Sequence, residues 1–97
     1  MEKLKLSGFN ISGAEKPIIE NVIKNYEIKI LRESDYNQIS LRLRKSQHGK
    51  TFLHEVEGKL EIKNKIFNSK TADYNIFYAV SEALEKLLNE LKHYIKK

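Results

Sequence analysis

The stretch Asp73–Lys97, DYNIFYAVSEALEKLLNELKHYIKK, decides the fold. Within it Ile76, Phe77, Val80, Ala83, Leu84, Leu87, Leu88, Leu91, Tyr94 and Ile95 recur at steps of three and four, which stacks them on one stripe of an α-helix. No Gly or Pro interrupts the run, and Ala, Leu, Glu and Lys, all low-cost helix formers, dominate it. A helix so apolar on one side is not stable alone in water, so the rest of the chain is expected to build the surface that covers it. Its other side ends in a basic tip, Lys92, His93, Lys96 and Lys97.

Moving outward towards the N-terminus, Asp73 is the expected N-cap of this helix. Residues 66–71 read as a strand, and Asn64-Lys65 as the turn before it. Thr51–Lys63 reads as a long strand with Phe52, His54, Val56, Leu60 and Ile62 on one face and Gly58 as a bulge or bend. Residues 46–50 form a turn in which Gly49 is free to take a positive φ. The clearest strand is Asn37–Lys45: Ile39, Leu41 and Leu43 point one way, Ser40, Arg42 and Arg44 the other.

Before the loop Glu33-Ser34-Asp35, the apolar residues Ile19, Val22, Ile23, Tyr26 and Ile30 keep helical spacing. Tyr26, Ile28 and Ile30 also alternate, so a strand over 26–31 competes with a helix running to about Arg32. The helix is favoured, because a strand there would cut the preceding helix to about two turns. Ser12 and Glu15 have capping-box spacing, while Pro17 is harmless only in a first turn, so helix onset anywhere from Gly13 to Pro17 fits. At the start, Lys3 and Lys5 alternate with Leu4 and Leu6 as in a half-buried strand.

The order is β-α-β-β-β-α, an α+β domain spanning residues 1–97. One helix separates the first two strands, so they can be parallel with a right-handed crossover, and the other three are hairpin-linked. The economical architecture is two layers, a four-stranded mixed sheet with both helices on one face. The open face would carry Lys3, Lys5, Ser40, Arg42 and Arg44.

Composition narrows the function classes. The chain has no Cys, which excludes disulfides, thiolate metal sites and a Cys nucleophile. No apolar run approaches the roughly 20 residues of a membrane span, and MEKLKLSGF lacks a signal peptide's apolar core, so a cytoplasmic location without a membrane partner is expected. His48, His54 and His93 have no metal-ligand spacing, and His54 among apolar neighbours reads as a satisfied interior or edge residue. Gly49-Lys50-Thr51 resembles the end of a phosphate-binding loop, but Arg44 stands where its first Gly belongs and the segment joins two strands. Glu55, Glu57 and Glu61 alternate on the solvent face beside Lys59 and Lys63, as a solvated strand does. No enzyme chemistry, cofactor or metal is expected.

The formal net charge is +5, which fits a nucleic-acid partner, although 15 of the 18 basic residues are Lys, the ordinary solubilising choice. Position is more informative. Lys24 and Lys29 lie off the apolar stripe of the first helix, Arg42, Arg44 and Lys45 on the open face or end of the second strand, and Lys86, Lys92, Lys96 and Lys97 on the last helix. Basic groups on two parallel helices and an adjoining strand can follow the phosphates of structured RNA, reading shape more than bases. The plainer account is that Glu82 and Lys86 form an i,i+4 pair and that Lys92, Lys96 and Lys97 complement the helix dipole.

Ala72-Asp73-Tyr74-Asn75-Ile76-Phe77-Tyr78-Ala79-Val80, then Leu84-Glu85-Lys86-Leu87 and Leu91-Lys92, together with the opening KLKLSGFN, resemble the ribosome hibernation or ribosomal subunit interface factors. That family has an acidic, aromatic and Ala-rich start to its last helix, an acidic-Lys-Leu step, and a basic end. The likeness is to the short form, without the additional C-terminal dimerisation domain of longer members, and is most specific over 72–92. It implies a β-α-β-β-β-α domain, and a ribosome or structured RNA as partner with Lys86, Lys92 and Lys97 facing ribosomal RNA. At the first helix this chain diverges: Val22-Ile23 and Asn25-Tyr26 replace the family's two Lys-Leu steps, leaving Lys24 and Lys29 as the basic candidates. The expected function is a non-enzymatic, translation-inhibiting or hibernation-like RNA-binding factor. The rival expectation is a protein-interaction module or homodimer that uses the open sheet edge or face without nucleic acid.

Overall fold

The computed structural model describes residues 3–9, 11 and 13–96. Six elements follow in the expected order: β1 (Leu4–Ser7), α1 (Lys16–Glu33), β2 (Gln38–His48), β3 (Thr51–Ile62), β4 (Lys65–Asp73) and α2 (Ile76–Ile95). The sheet order is β1-β2-β3-β4, with β1 parallel to β2 and the other pairs antiparallel. The competition over 26–31 resolves as helix: Ile19, Ile23 and Ile30 are all buried, which a strand from Tyr26 onward would not align. Pro17 stands in the first turn of α1, where its missing N–H costs nothing. The expected capping serine, Ser12, lies outside the described residues.

Three cross-strand rows build the covered face of the sheet. They are Ile39–Leu60–Phe67, Leu41–Gly58–Ser69 and Leu43–Val56–Thr71. The middle row is the shallow one, and Leu87 of α2 packs onto it. Gly58 pairs in regular register with Leu41 and Ser69, so it is neither a bulge nor a bend. Its role is space: a Cβ at this position would stand 2.5 Å from the Ser69 hydroxyl, 3.1 Å from Leu87 Cδ1 and 3.4 Å from Leu41 Cδ2. Next to it, Ser69 donates to the Ala83 carbonyl at 2.9 Å and Thr71 to the Ala79 carbonyl at 2.7 Å. Those carbonyls belong to the helix ladder and have a second lone pair to offer, so the buried hydroxyls are satisfied while drawing α2 onto β4.

The start of α2 and the end of β2 differ from expectation. Asn75, not Asp73, caps α2, accepting from Phe77 and Tyr78 N–H, while Asp73 accepts from Asn75 N–H in the turn before it. The helix starts at Ile76, so the cap position falls two residues beyond Asp73, which is still held in β4 by its pairing with His54. β2 runs on to His48, so the turn contracts to Gly49-Lys50 with Gly49 at φ 65°. Strands of 11 and 12 residues are about 37–40 Å long, whereas the 20-residue α2 spans about 30 Å. The β2–β3 hairpin therefore overhangs the helices, and Phe52, placed on the covered face by pattern, is 48% exposed.

His54 sits where that overhang begins, in the row Lys45–His54–Asp73. Its Nδ1 is buried without a hydrogen-bond partner, so it is not the satisfied histidine that the sequence suggested. Burial pushes its pKa below the usual imidazole value; Lys45 pushes the same way, and Glu15 and Asp73 oppose.

Gly58→Ala should destabilise the protein by about 1–3 kcal/mol, since the Cβ can be accommodated only by displacing the Ser69 hydroxyl or Leu87. Gly13→Ala, with nothing within 4 Å of the added atom, should be close to neutral in the same urea titration. For His54 the unfolded chain takes up a proton below about pH 6.5 while the native state resists it. Its stability contribution is complete above that pH and is lost on acidification towards the depressed native value. Melting temperature should fall between pH 7 and pH 5.5, and His54→Gln should flatten that slope.

Candidate nucleic-acid interface

The two helices run parallel, as Tyr26 opposite Ser81 and Glu85, and Arg32 and Glu33 beside Leu88 and Lys92, require. The Tyr26 hydroxyl donates to Glu85 Oε1 at 2.9 Å and lies 3.4 Å from the Ser81 hydroxyl. Burial, the largest cause, raises its pKa; the Ser81 bond works against that, and Glu85 adds to it. Lys29 Nζ lies 4.8 Å from the centroid of the Tyr26 ring, a cation–π distance that holds the ammonium over the helix–helix seam. Below it, Lys29, Arg32 and Glu33 of α1 and Glu85, Leu88 and Lys92 of α2 line a groove of about 290 Å³.

The structure thus divides the nine basic residues singled out from sequence. Lys29 and Lys92 come together in the groove, joined by Arg32, which sequence reading passed over. A helical wheel of α1 would have offered Arg32, three residues on from Lys29, but nothing in the sequence says which face meets α2. Lys24 is exposed further up α1, beside the cleft between that helix and β1. Lys96 is exposed at the C-cap of α2, and Lys97 lies outside the described residues. Lys86 is on the far flank of α2, where its Nζ donates to the Lys70 carbonyl on the β4 edge at 3.2 Å, in place of the expected pairing with Glu82.

The strand residues go elsewhere. Arg42 and Arg44 project from the uncovered face, on the opposite side of the sheet from the helices, across from Glu57 and Glu55. Lys45, one residue on, is on the helix side near the hairpin end, with Nζ 5.9 Å from the Phe52 ring centroid. The helices and β2 therefore do not present one continuous basic surface. They present a helix-side groove and a sheet-side face.

The uncovered face is the more basic of the two. Lys5, Arg42, Lys59 and Lys70 surround a shallow depression of about 580 Å³ that holds one carboxylate, Glu57, with Ser7, Ser40 and Asn68 between them. Lys59 and Lys70 became neighbours only through the register of β3 with β4, which pairs Glu57 with Lys70 and Lys59 with Asn68. Among the described residues no group of three or more His, Asp or Glu side chains is placed to hold a metal ion. No described helix is long and apolar enough to cross a membrane.

No protein-family model and no curated protein sequence matches the chain. Solved structures do. The chain is similar to the N-terminal domain of Thermus thermophilus Protein Y, with a TM-score of 0.64 and 19% identity over 97% of this chain and 99% of that one. It is similar too to a ribosomal subunit interface protein from Coxiella burnetii, with a TM-score of 0.66 and 17% identity over 97% and 98% of the two chains. The second bears by name the family that residues 72–92 resemble, and at these identities the shared property is the β-α-β-β-β-α fold over its whole length.

Proposed function

We propose that the chain is a non-enzymatic, ribosome-associated factor of the hibernation type, acting in the cytoplasm by occupying a surface of ribosomal RNA. The observation that carries this reading is the likeness, over 97% of the chain, to a ribosomal subunit interface protein, joined to the sequence resemblance of the last helix. The geometry adds a means of binding. Two parallel helices bring Lys29, Arg32 and Lys92 to one groove, with Lys24, Lys86 and Lys96 exposed on the same two helices. Such a ridge-and-groove surface can follow a phosphate backbone by shape, without reading bases. Occupying ribosomal RNA needed for translation would inhibit it without any chemical step.

The rival reading, self-association by strand pairing, has less to support it. β1 is only four residues long, and on the nine-residue β4 edge Lys86 already donates to the Lys70 carbonyl, which a pairing strand would have to displace.

Co-sedimentation with ribosomes tests the proposal. Binding should be strong at low salt and fall steeply as salt rises, because released counterions supply the affinity. Lys29→Glu with Lys92→Glu should weaken binding at least tenfold and lower the salt slope by about two, one for each phosphate left without its cation. An unchanged circular dichroism spectrum would show that the fold is kept. Absence of the wild-type protein from the ribosome pellet at low salt would sink the reading.

A further inference from the structure

The uncovered face of the sheet is left without a role by the helix groove. We propose that it is a second nucleic-acid surface, which takes a single-stranded segment with its phosphates over Lys5, Arg42, Lys59 and Lys70 and a base against Tyr74.

Strand register brings these charges together. One row across the face reads Lys5, Ser40, Lys59, Asn68, and the next reads Ser7, Arg42, Glu57, Lys70. A solvated sheet face is expected to be polar, and ordinarily interleaves both signs. Here four cations meet one carboxylate. Lys59 and Lys70 are diagonal neighbours, as are Lys5 and Arg42, and like charges so placed repel. Glu57 alone stands among them, and among the described residues none of these four side chains makes a hydrogen bond or ion pair, not even Arg42 with Glu57 across from it. A polyanion laid over the face would relieve the repulsion.

Tyr74 gives the surface a stacking element. Its ring is 59% exposed and is held edge-on by His48, with centroids 6.4 Å apart and planes at 84°. His48 lies on the same face of β2 as Arg42 and Arg44, so Tyr74 stands at the hairpin end of the basic face. Cations that track a backbone beside an exposed ring are what a single strand requires, because every base has a π-face to stack.

Shape selects the same occupant. The outer strands of a four-stranded sheet are about 14 Å apart, wider than the roughly 12 Å major groove of B-DNA, and the major groove of RNA is narrower still. The face cannot enter a duplex, but an unpaired strand can lie across it. An acidic protein surface fits less well, since protein interfaces depend on buried apolar or aromatic anchors and the depression has no aromatic lining and only Leu41 as a large apolar one.

The test uses fluorescence anisotropy with a labelled single-stranded oligoribonucleotide of about ten nucleotides, a length within the range such sites cover. The intact protein should bind it with steep salt dependence. Lys59→Glu with Lys70→Glu should weaken it at least tenfold, and Tyr74→Ala at least fivefold. Lys29→Glu with Lys92→Glu, on the other layer, should change it by less than about twofold if charge is read locally. Absence of salt-dependent binding would overturn the proposal. So would equal losses from the two charge-reversed pairs, which would mean net charge alone attracts the oligonucleotide. Inorganic polyphosphate competing as well as RNA, with Tyr74→Ala inert, would reduce the face to a bare anion site and overturn it too. Absence of the wild-type protein from the ribosome pellet, with its oligonucleotide binding intact, would reject the helix-groove reading and leave this one standing.

Discussion

The seat of α2 on β3 and β4 is the constraint on which the other features depend. Ala79 and Ala83 present little more than backbone to the sheet, Gly58 presents nothing, and the hydroxyls of Ser69 and Thr71 bridge the two layers. A larger residue at any of these positions would lift the helix. With it would go the cover over Leu41, Val56 and Leu60, all nearly inaccessible to water. Ile19, Ile23 and Ile30 of α1 complete the same core and are set by what α2 leaves open. The Tyr26–Glu85 hydrogen bond then fixes the helices side by side, so the groove at Lys29 and Lys92 follows from the packing beneath it.

Placing both helices on one face also fixes where charge can go. Each strand has one parity committed to the core, and the other parity must be polar because water meets it. That explains why Lys5, Arg42, Lys59 and Lys70 are solvated but not why these four cations surround a single carboxylate, Glu57. The bias in sign, and not the polarity, is the feature that needs a partner to account for it.

Much of the fold was legible because periodicity alone determines it. The stripe from Ile76 to Leu91 and the alternation Ile39–Leu41–Leu43 are each long enough to exclude the other type of element. What escaped depended on packing between elements. Gly58 looks like a bulge to any local rule, since only the approach of Leu87 shows why a side chain is absent. Tyr36 reads as a loop residue, yet it is 3% exposed, with its hydroxyl donating to Glu27 Oε2 at 2.7 Å, and burial raises its pKa far above the usual phenol range. The candidate site was legible as a list of cations and not as a surface. Lys29 with Lys92 needed the helix pairing, and Lys59 with Lys70 needed the strand register.

The two basic surfaces lie on opposite sides of a molecule whose smallest extent is 18 Å. At physiological ionic strength the screening length is about 8 Å, so over half that thickness the field of exposed charges on one layer has largely decayed in the surrounding solvent. A polyanion on the helix groove would therefore do little to lessen attraction at the sheet face, and the two sites can be filled together. Mutual repulsion between two bound strands would be screened for the same reason. Under the proposed function and the proposed sheet-face site, the domain would stand between two stretches of RNA, whereas one with all its cations on one layer could do no more than coat a single stretch.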